Sequence, residues 1–144
     1  MALAQPIEWR EQFTIGVAQL DSHHQTLLGL LNEVRGIDRN MHVSSATRDW
    51  SLLLLQKFND YAAYHFLAEE KLIREHLTED ADMLAHIAAH RSYWTSIDFF
   101  RQRYQIVGEP VWSELVHYLE QWWLQHMQVT DKELGRRLTE VGVQ

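Results

Sequence analysis

Apolar residues recur every three or four positions along most of this chain, which is the spacing that gives an α-helix one buried face. The strict alternation typical of β-strands does not occur. Glycine and proline are sparse, so the pattern predicts four helices. Their expected spans are about Ser22 to the Gly36 region, Ser44 or Ser45 to about His76, Thr78 or Asp80 to Gly108, and Pro110 to about Asp131 or slightly beyond.

Short joints between the predicted helices favour an antiparallel up-down-up-down bundle, which buries four apolar stripes against one another. The fold class is therefore all-α. Candidate capping residues are Asp21 or Ser22 for the first helix, Ser44 or Ser45 for the second, and Thr78 or Asp80 for the third.

The first 20 residues carry Trp9, Phe13 and Ile15, and this aromatic and apolar content predicts an N-terminal arm that packs along the bundle. We expect one domain over residues 1–144, with the arm at 1–20 and the four-helix bundle at about 21–135. A chain of 144 residues with 46% hydrophobic content is long enough for one such core.

Composition excludes several classes of site. The chain has no cysteine, which excludes disulfides, cysteine-based zinc sites, iron–sulfur clusters and a thiol nucleophile. A net charge of -7 argues against a nucleic-acid partner, because phosphate backbones require a basic face. Neither a secretory signal nor a run long enough to span a membrane is apparent, so we expect a cytoplasmic protein without a membrane partner.

Histidines and carboxylates fall at one predicted end of the bundle. Residues four apart share a helix face, so His65 lies beside Glu69 on the second helix and His86 lies beside His90 on the third. The starts of the first and third helices meet the ends of the second and fourth. The expected metal ligands are His24, His65, Glu69, His86, His90, His126 and Asp131. Five residues advance an α-helix by about 500°, so we expect Asp131 to approach from a different angle than His126.

Five imidazoles and two carboxylates favour iron over calcium or magnesium. Zinc is the chemical alternative, although structural zinc usually takes four ligands and no bridge. Glu69 and Asp131 can each link two cations, and an oxo or hydroxo bridge would help to balance their charge. Three imidazoles on one iron and two on the other leave one coordination position open, for which dioxygen is the obvious ligand.

Four motifs now indicate a family. They are Asp21-x-x-His24, His65-Phe66-x-x-Glu69-Glu70, His86-x-x-x-His90 and Trp122-x-x-x-His126-x-x-x-x-Asp131. Over nearly the whole chain the sequence resembles the hemerythrin family, specifically its single-domain bacterial members. The resemblance implies reversible dioxygen binding at a non-haem diiron centre held by these seven residues. The spacing does not decide which histidine serves which iron.

The chain departs from the family pattern at two positions. His23 stands where similar proteins commonly have glutamine, and this extra imidazole would compete for metal or tune access. Trp123 replaces a residue that usually shapes the oxygen pocket or its entrance, and its bulk would slow entry or be absorbed by small neighbours.

Other residues near the ligands have two interpretations. An apolar oxygen pocket or plain core is expected from Leu27, Phe66, Trp122, Trp123 and Met127. Glu70 would accept an imidazole N–H or be an exposed charge, and we favour the exposed charge. His76 is expected at the C-terminal end of the second helix, where the helix dipole favours positive charge, so a capping role is expected. His117 is expected at the surface.

The favoured function is reversible dioxygen binding by a carrier, store or delivery protein, and this binding role is favoured over an enzymatic one. The alternatives are a diiron enzyme acting on peroxide, nitric oxide or dioxygen, an oxygen or redox sensor, and an iron-handling protein. No acid or base outside the ligand set is apparent, so no catalytic residue is predicted. The expected partners are dioxygen and an oxygen-consuming protein, with the chain a monomer or small homo-oligomer.

Overall fold

A computed structural model describes residues 5–37, 45–78 and 80–144 of the chain. Within these residues the structure is helical and has no β-strand. A short 3-10 turn precedes the main helices at Glu11–Phe13. The helices are α1 (Ala18–Arg35), α2 (Ser45–His76), α3 (Ala81–Val107), α4 (Glu109–Gln125) and α5 (Asp131–Glu140), with a π-helical turn at His126–Thr130 joining α4 to α5.

Helix α1 packs against α2 and α4, and α3 packs against α2 and α4, as in an antiparallel bundle with neighbouring helices in chain order. The first two helices bury apolar residues at three- and four-residue spacing, including Leu27, Leu31 and Val34 on α1 and Phe58 on α2. The predicted all-α four-helix bundle is therefore confirmed. Leu84, which belongs to the apolar repeat of α3, is instead 64% exposed.

The helix starts confirm one predicted cap and correct another. The Asp80 carboxylate accepts a hydrogen bond from the backbone N–H of Asp82, as expected for the cap of α3. Helix α1 begins four residues earlier than predicted, at Ala18. The Asp21 carboxylate therefore does not cap it, and instead accepts the backbone N–H groups of Ile15 and Gly16 in the arm. Ser44, a candidate cap for α2, lies outside the described residues.

The fourth helix changes its winding at the site end of the bundle. At the π-helical turn, the backbone N–H of Asp131 donates to the carbonyl of His126, five residues earlier. This wider turn places Asp131 one turn beyond His126 on the same face. The expectation that Asp131 approaches from a different angle is therefore wrong, because it assumed uninterrupted α-helical winding.

Beyond the π turn, α5 continues to Glu140 and adds a second apolar cluster. Leu134 and Leu138 are buried with Ile15, Leu20 and Met83. Gly135 allows this close packing, because a Cβ at that position would lie 2.2 Å from the carbonyl oxygen of Ile15. The last helix thus extends further than predicted, and its C-terminal turns hold the arm against the bundle.

The arm is also held at its other end by polar contacts. The side-chain oxygen of Asn32 accepts the backbone N–H of Ile7 at 2.8 Å, and its amide donates to the Ile7 carbonyl at 2.9 Å. Phe13 and Ile15 are buried, and Trp9 packs on the core. The described part of the arm therefore lies along the bundle as predicted. No helix in the described ranges combines the length and apolar character needed to cross a membrane.

Candidate metal centre

The seven predicted ligand residues come together at one end of the bundle. All are buried, although imidazoles and carboxylates rarely lose contact with water unless they are paired. They are His24 on α1, His65 and Glu69 on α2, His86 and His90 on α3, His126 at the start of the π turn that follows α4, and Asp131 at the start of α5. The antiparallel arrangement brings these distant positions to one level.

Glu69 lies between two sets of histidines, with one oxygen towards each. Its Oε1 contacts His65 Nε2 and its Oε2 lies 2.6 Å from His86 Nε2. Because the two oxygens face different helices, this carboxylate has the arrangement needed to link two cations.

Asp131 repeats this arrangement on the other side of the site. Its Oδ2 lies 2.8 Å from His24 Nε2 and 3.5 Å from His65 Nε2. Its Oδ1 lies 2.9 Å from His126 Nε2 and 3.2 Å from His86 Nε2. The π turn produces this placement, because it returns Asp131 to the face of His126.

Two overlapping groups of ligand atoms result, each with its atoms within 4.8 Å of one another. One group has three histidines and the other has two, and Glu69 belongs to both. The three-histidine group is Glu69, His86, His90 and His126, and the two-histidine group is His24, His65, Glu69 and Asp131. The five histidines thus fall into a group of three and a group of two, a grouping that the spacing left open.

The two carboxylates dominate the electrostatics of the site. Burial opposes protonation of His65, but Glu69 and Asp131 outweigh it and raise the pKa of this imidazole to about 9. Burial likewise opposes protonation of His86, and hydrogen bonds to Asp131 and Glu69 raise its pKa to about 10. The interior here favours positive charge despite its low polarity.

The carboxylates are stabilised in their ionised form by the same contacts. Burial and the neighbouring Asp131 act to raise the pKa of Glu69, yet His65 and His86 lower it to about 2. Burial also opposes ionisation of Asp131, but His126 holds the pKa of this carboxyl well below its usual range. Two ionised carboxylates in an apolar interior create a strong preference for cations.

One ligand atom has neither a hydrogen bond nor an ion pair with any described residue. His90 Nε2 is buried, belongs to the three-histidine group, and has no hydrogen-bond partner in the described part of the chain. An orphaned imidazole nitrogen costs stability unless something binds it. The donor set of imidazole nitrogens and carboxylate oxygens suits a transition metal, so the residues present fit a metal site.

Among the described residues, two of the ligand histidines have outer partners on their second ring nitrogen. His90 Nδ1 lies 2.9 Å from Glu70 Oε2, and Glu70 is only 20% exposed in its side chain. The interpretation of Glu70 as an exposed charge is therefore wrong, since the carboxylate accepts the imidazole N–H. Such partners fix the tautomer and orientation of a metal-binding histidine.

His23 is the outer partner of His65. Their Nδ1 atoms lie 3.1 Å apart, and His23 is itself buried. Burial, reinforced by the neighbouring imidazoles of His65 and His24, lowers the pKa of His23 to about 4. His23 therefore belongs behind the ligand set, and it does not enter either ligand group.

Aromatic rings pack tightly around the three-histidine group. The ring of Phe66 stacks on His90 with centroids 3.8 Å apart, and the ring of Trp122 stacks on His126 at 4.3 Å. Trp123 also stacks on Phe66, with centroids 5.3 Å apart, and lies 6.1 Å from the ring of His65. Its bulk is thus accommodated within the core.

The remaining residues proposed for the oxygen pocket, Leu27 and Met127, are fully buried in the same apolar cluster as Phe66 and Trp123. A buried polar pair, Tyr93 with Asn59, was not among the predicted site residues. The Tyr93 hydroxyl donates to Asn59 Oδ1 at 2.9 Å, and both side chains are buried. An asparagine on a predicted apolar helix face was the available signal.

Two further histidines on the described helices lie where the sequence indicated. His117 is exposed on α4, and His76 is exposed at the C-terminal end of α2. Neither belongs to a ligand group among the described residues.

Comparison with known proteins agrees with this site. The family described as the hemerythrin HHE cation binding domain matches residues 15–138, a segment that includes all seven clustered residues. A protein named bacteriohemerythrin from Stenotrophomonas maltophilia (strain R551-3) is 24% identical over 124 residues, which cover 86% of this chain and 76% of that protein.

Proposed function

Because the chain belongs to the hemerythrin HHE cation-binding domain family, we propose that its seven buried ligands hold two iron ions and that the centre binds dioxygen reversibly. The observation that carries this proposal is the pair of overlapping ligand groups, which share Glu69 and lie on either side of Asp131. A site for one cation would not need two carboxylates with their oxygens turned to different histidines.

Iron suits this donor set better than the alternatives. Calcium and magnesium prefer oxygen ligands, whereas each group here contains imidazoles. Structural zinc usually takes four ligands without a bridge. Two ferrous ions held by these residues would supply two electrons to bound dioxygen and regain them on its release.

The unequal groups indicate where dioxygen would bind. Glu69 belongs to both groups, and Asp131 of the two-histidine group also contacts His86 and His126. One group offers three imidazoles and the other offers only His24 and His65. The two-histidine group therefore has the position for an external ligand. The protein's own contribution is to orient the imidazoles and to exclude water, because apolar walls such as Leu27 and Trp123 are fully buried.

A binding function is favoured over catalysis by the content of the site. Among the described residues, the buried titratable side chains in contact with the ligands are other ligands and His23, with Glu70 at the edge bonded to His90. The nearby Tyr93 hydroxyl is bonded to Asn59. A carrier or store of this type would supply dioxygen to an oxygen-consuming protein.

The test is anaerobic loading with ferrous iron followed by cycles of air and vacuum. We expect two irons per chain, a colour that develops in air, and bleaching under vacuum. Glu69→Ala should lose both irons, because that carboxylate belongs to both groups. The matched control is Glu114→Ala, which removes an exposed carboxylate on α4 and should load normally.

Each outcome decides one part of the proposal. Fewer than two irons in the wild-type chain would overturn the diiron centre. Two irons that oxidise irreversibly, without a coloured form that bleaches, would overturn reversible dioxygen binding and favour the enzymatic alternative.

A further inference from the structure

The contact between His23 and His65 sets a condition on the protons of both rings. Their Nδ1 atoms are 3.1 Å apart, a hydrogen-bonding distance at which one nitrogen must donate and the other must accept. His65 Nε2 faces Glu69 and Asp131 and is the atom directed at the centre. If that nitrogen offers its lone pair to a metal, the neutral His65 ring carries its proton on Nδ1.

The acceptor in this contact is therefore Nδ1 of His23. A protonated His23 would place two N–H groups against each other, so the contact requires a neutral His23 with its proton on Nε2. The ring is enclosed by aromatic side chains, with centroids 4.9 Å from Tyr64 and 5.9 Å from Tyr61. These neighbours hold the ring of His23 in place behind His65.

The three-histidine group has a different kind of outer partner. There, His90 Nδ1 donates to the carboxylate of Glu70 at 2.9 Å. A carboxylate acceptor makes an imidazole a more basic and stronger metal ligand than a neutral acceptor does. The two ligand groups therefore differ in the charge behind one of their histidines as well as in histidine number.

We propose that His23 is a positioning residue that fixes the orientation of His65, and that its neutral acceptor makes the two-histidine group the weaker of the two metal sites. This inference rests on the proposed diiron centre, since it assumes that His65 is a ligand. It assigns a role to a residue that lies outside both ligand groups.

The experiment is an anaerobic titration of the metal-free protein with Co²⁺ as a spectroscopic probe, followed by competition with a chelator. Wild-type protein should show two unequal affinities. His23→Leu, which removes the acceptor, should weaken only the weaker site by roughly 10–100-fold. His23→Gln keeps an acceptor oxygen and should restore most of the affinity, whereas His23→Glu should strengthen that site.

Two further variants serve as controls. Glu70→Gln replaces the charged acceptor of His90 and should weaken the stronger site instead. His117→Leu removes an exposed histidine on α4 and should leave both affinities unchanged. Comparison of His23→Gln with His23→Glu keeps the test valid even if His23→Leu does not fold.

Nitrogen NMR of the Zn²⁺-loaded protein provides a readout that a merely structural role would not produce. We expect the proton of His65 on Nδ1 and that of His23 on Nε2. The opposite tautomers, or a weaker-site affinity unchanged in all three His23 variants, would overturn this inference alone. Failure of the wild-type protein to bind two metal ions would instead overturn the proposed function.

Discussion

The two ends of the bundle bury opposite kinds of side chain between the same helices. The end away from the site is filled by apolar side chains, including Val34, Leu55, Trp112 and Leu115. The other end buries five imidazoles and two carboxylates at the same depth. Apolar burial favours folding whatever is bound, whereas buried charge favours folding only when it is compensated.

This difference implies a division of labour along the bundle axis. Burial of apolar side chains in one half stabilises the fold and offsets the free-energy cost of burying polar groups at the other end. Within the site, carboxylates and imidazoles partly neutralise one another, as the raised pKa of His86, about 10, shows. We therefore expect the stability of the metal-free fold and the affinity for metal to depend on different residues.

The largest effect should come from the metals themselves. A ligand that binds only the folded state at about 1,000 times its dissociation constant stabilises it by roughly 4 kcal/mol per site. Anaerobic ferrous iron should therefore raise the free energy of unfolding, measured with a denaturant, by several kcal/mol. Glu69→Ala should show no such increase, because its carboxylate belongs to both ligand groups. An equal increase in that variant would mean that iron stabilises the chain elsewhere.

A core substitution in the apolar half should have a smaller effect that is independent of metal. Leu115→Ala truncates a fully buried leucine and should lower the free energy of unfolding by about 3 kcal/mol. The loss should be the same with and without iron, and the iron content should not change. The matched control is Leu84→Ala, because that leucine is 64% exposed and should cost less than about 0.5 kcal/mol. A loss of iron in Leu115→Ala would contradict the proposed independence of the two halves.

Sequence spacing was sufficient for the bundle and for bringing the seven residues together. Pairs such as His65 with Glu69 share a helix face by geometry alone, and antiparallel topology determines which helix ends meet. Apolar periodicity also identified buried positions such as Phe58. These features depend on regular helical repeats, which a sequence displays directly.

Irregular geometry was not predictable in the same way. The π turn at His126–Thr130 adds a residue to one helical turn, and only the five-residue step to Asp131 hinted at it. The partners of Glu70 and His23 depend on how neighbouring helices are rotated. Periodicity within a single helix carries no information about that rotation between helices.

The smallest predicted effect tests whether the outer surface of the site end stabilises the fold without influencing the metals. The Asp80 carboxylate caps α3 and also contacts Arg137 of α5. Asp80→Ala should lower the free energy of unfolding by about 1 kcal/mol, while iron content stays at the wild-type value. Asp80→Ser keeps a capping oxygen and should recover most of that loss, so the remainder measures the contact with Arg137.

Asp98→Ala, at an exposed position on α3, is the control and should have almost no effect. If Asp80→Ala instead lowered the iron content, the surface of this end would be coupled to the buried ligands through the start of α3, and the proposed separation of stability from metal affinity would fail there.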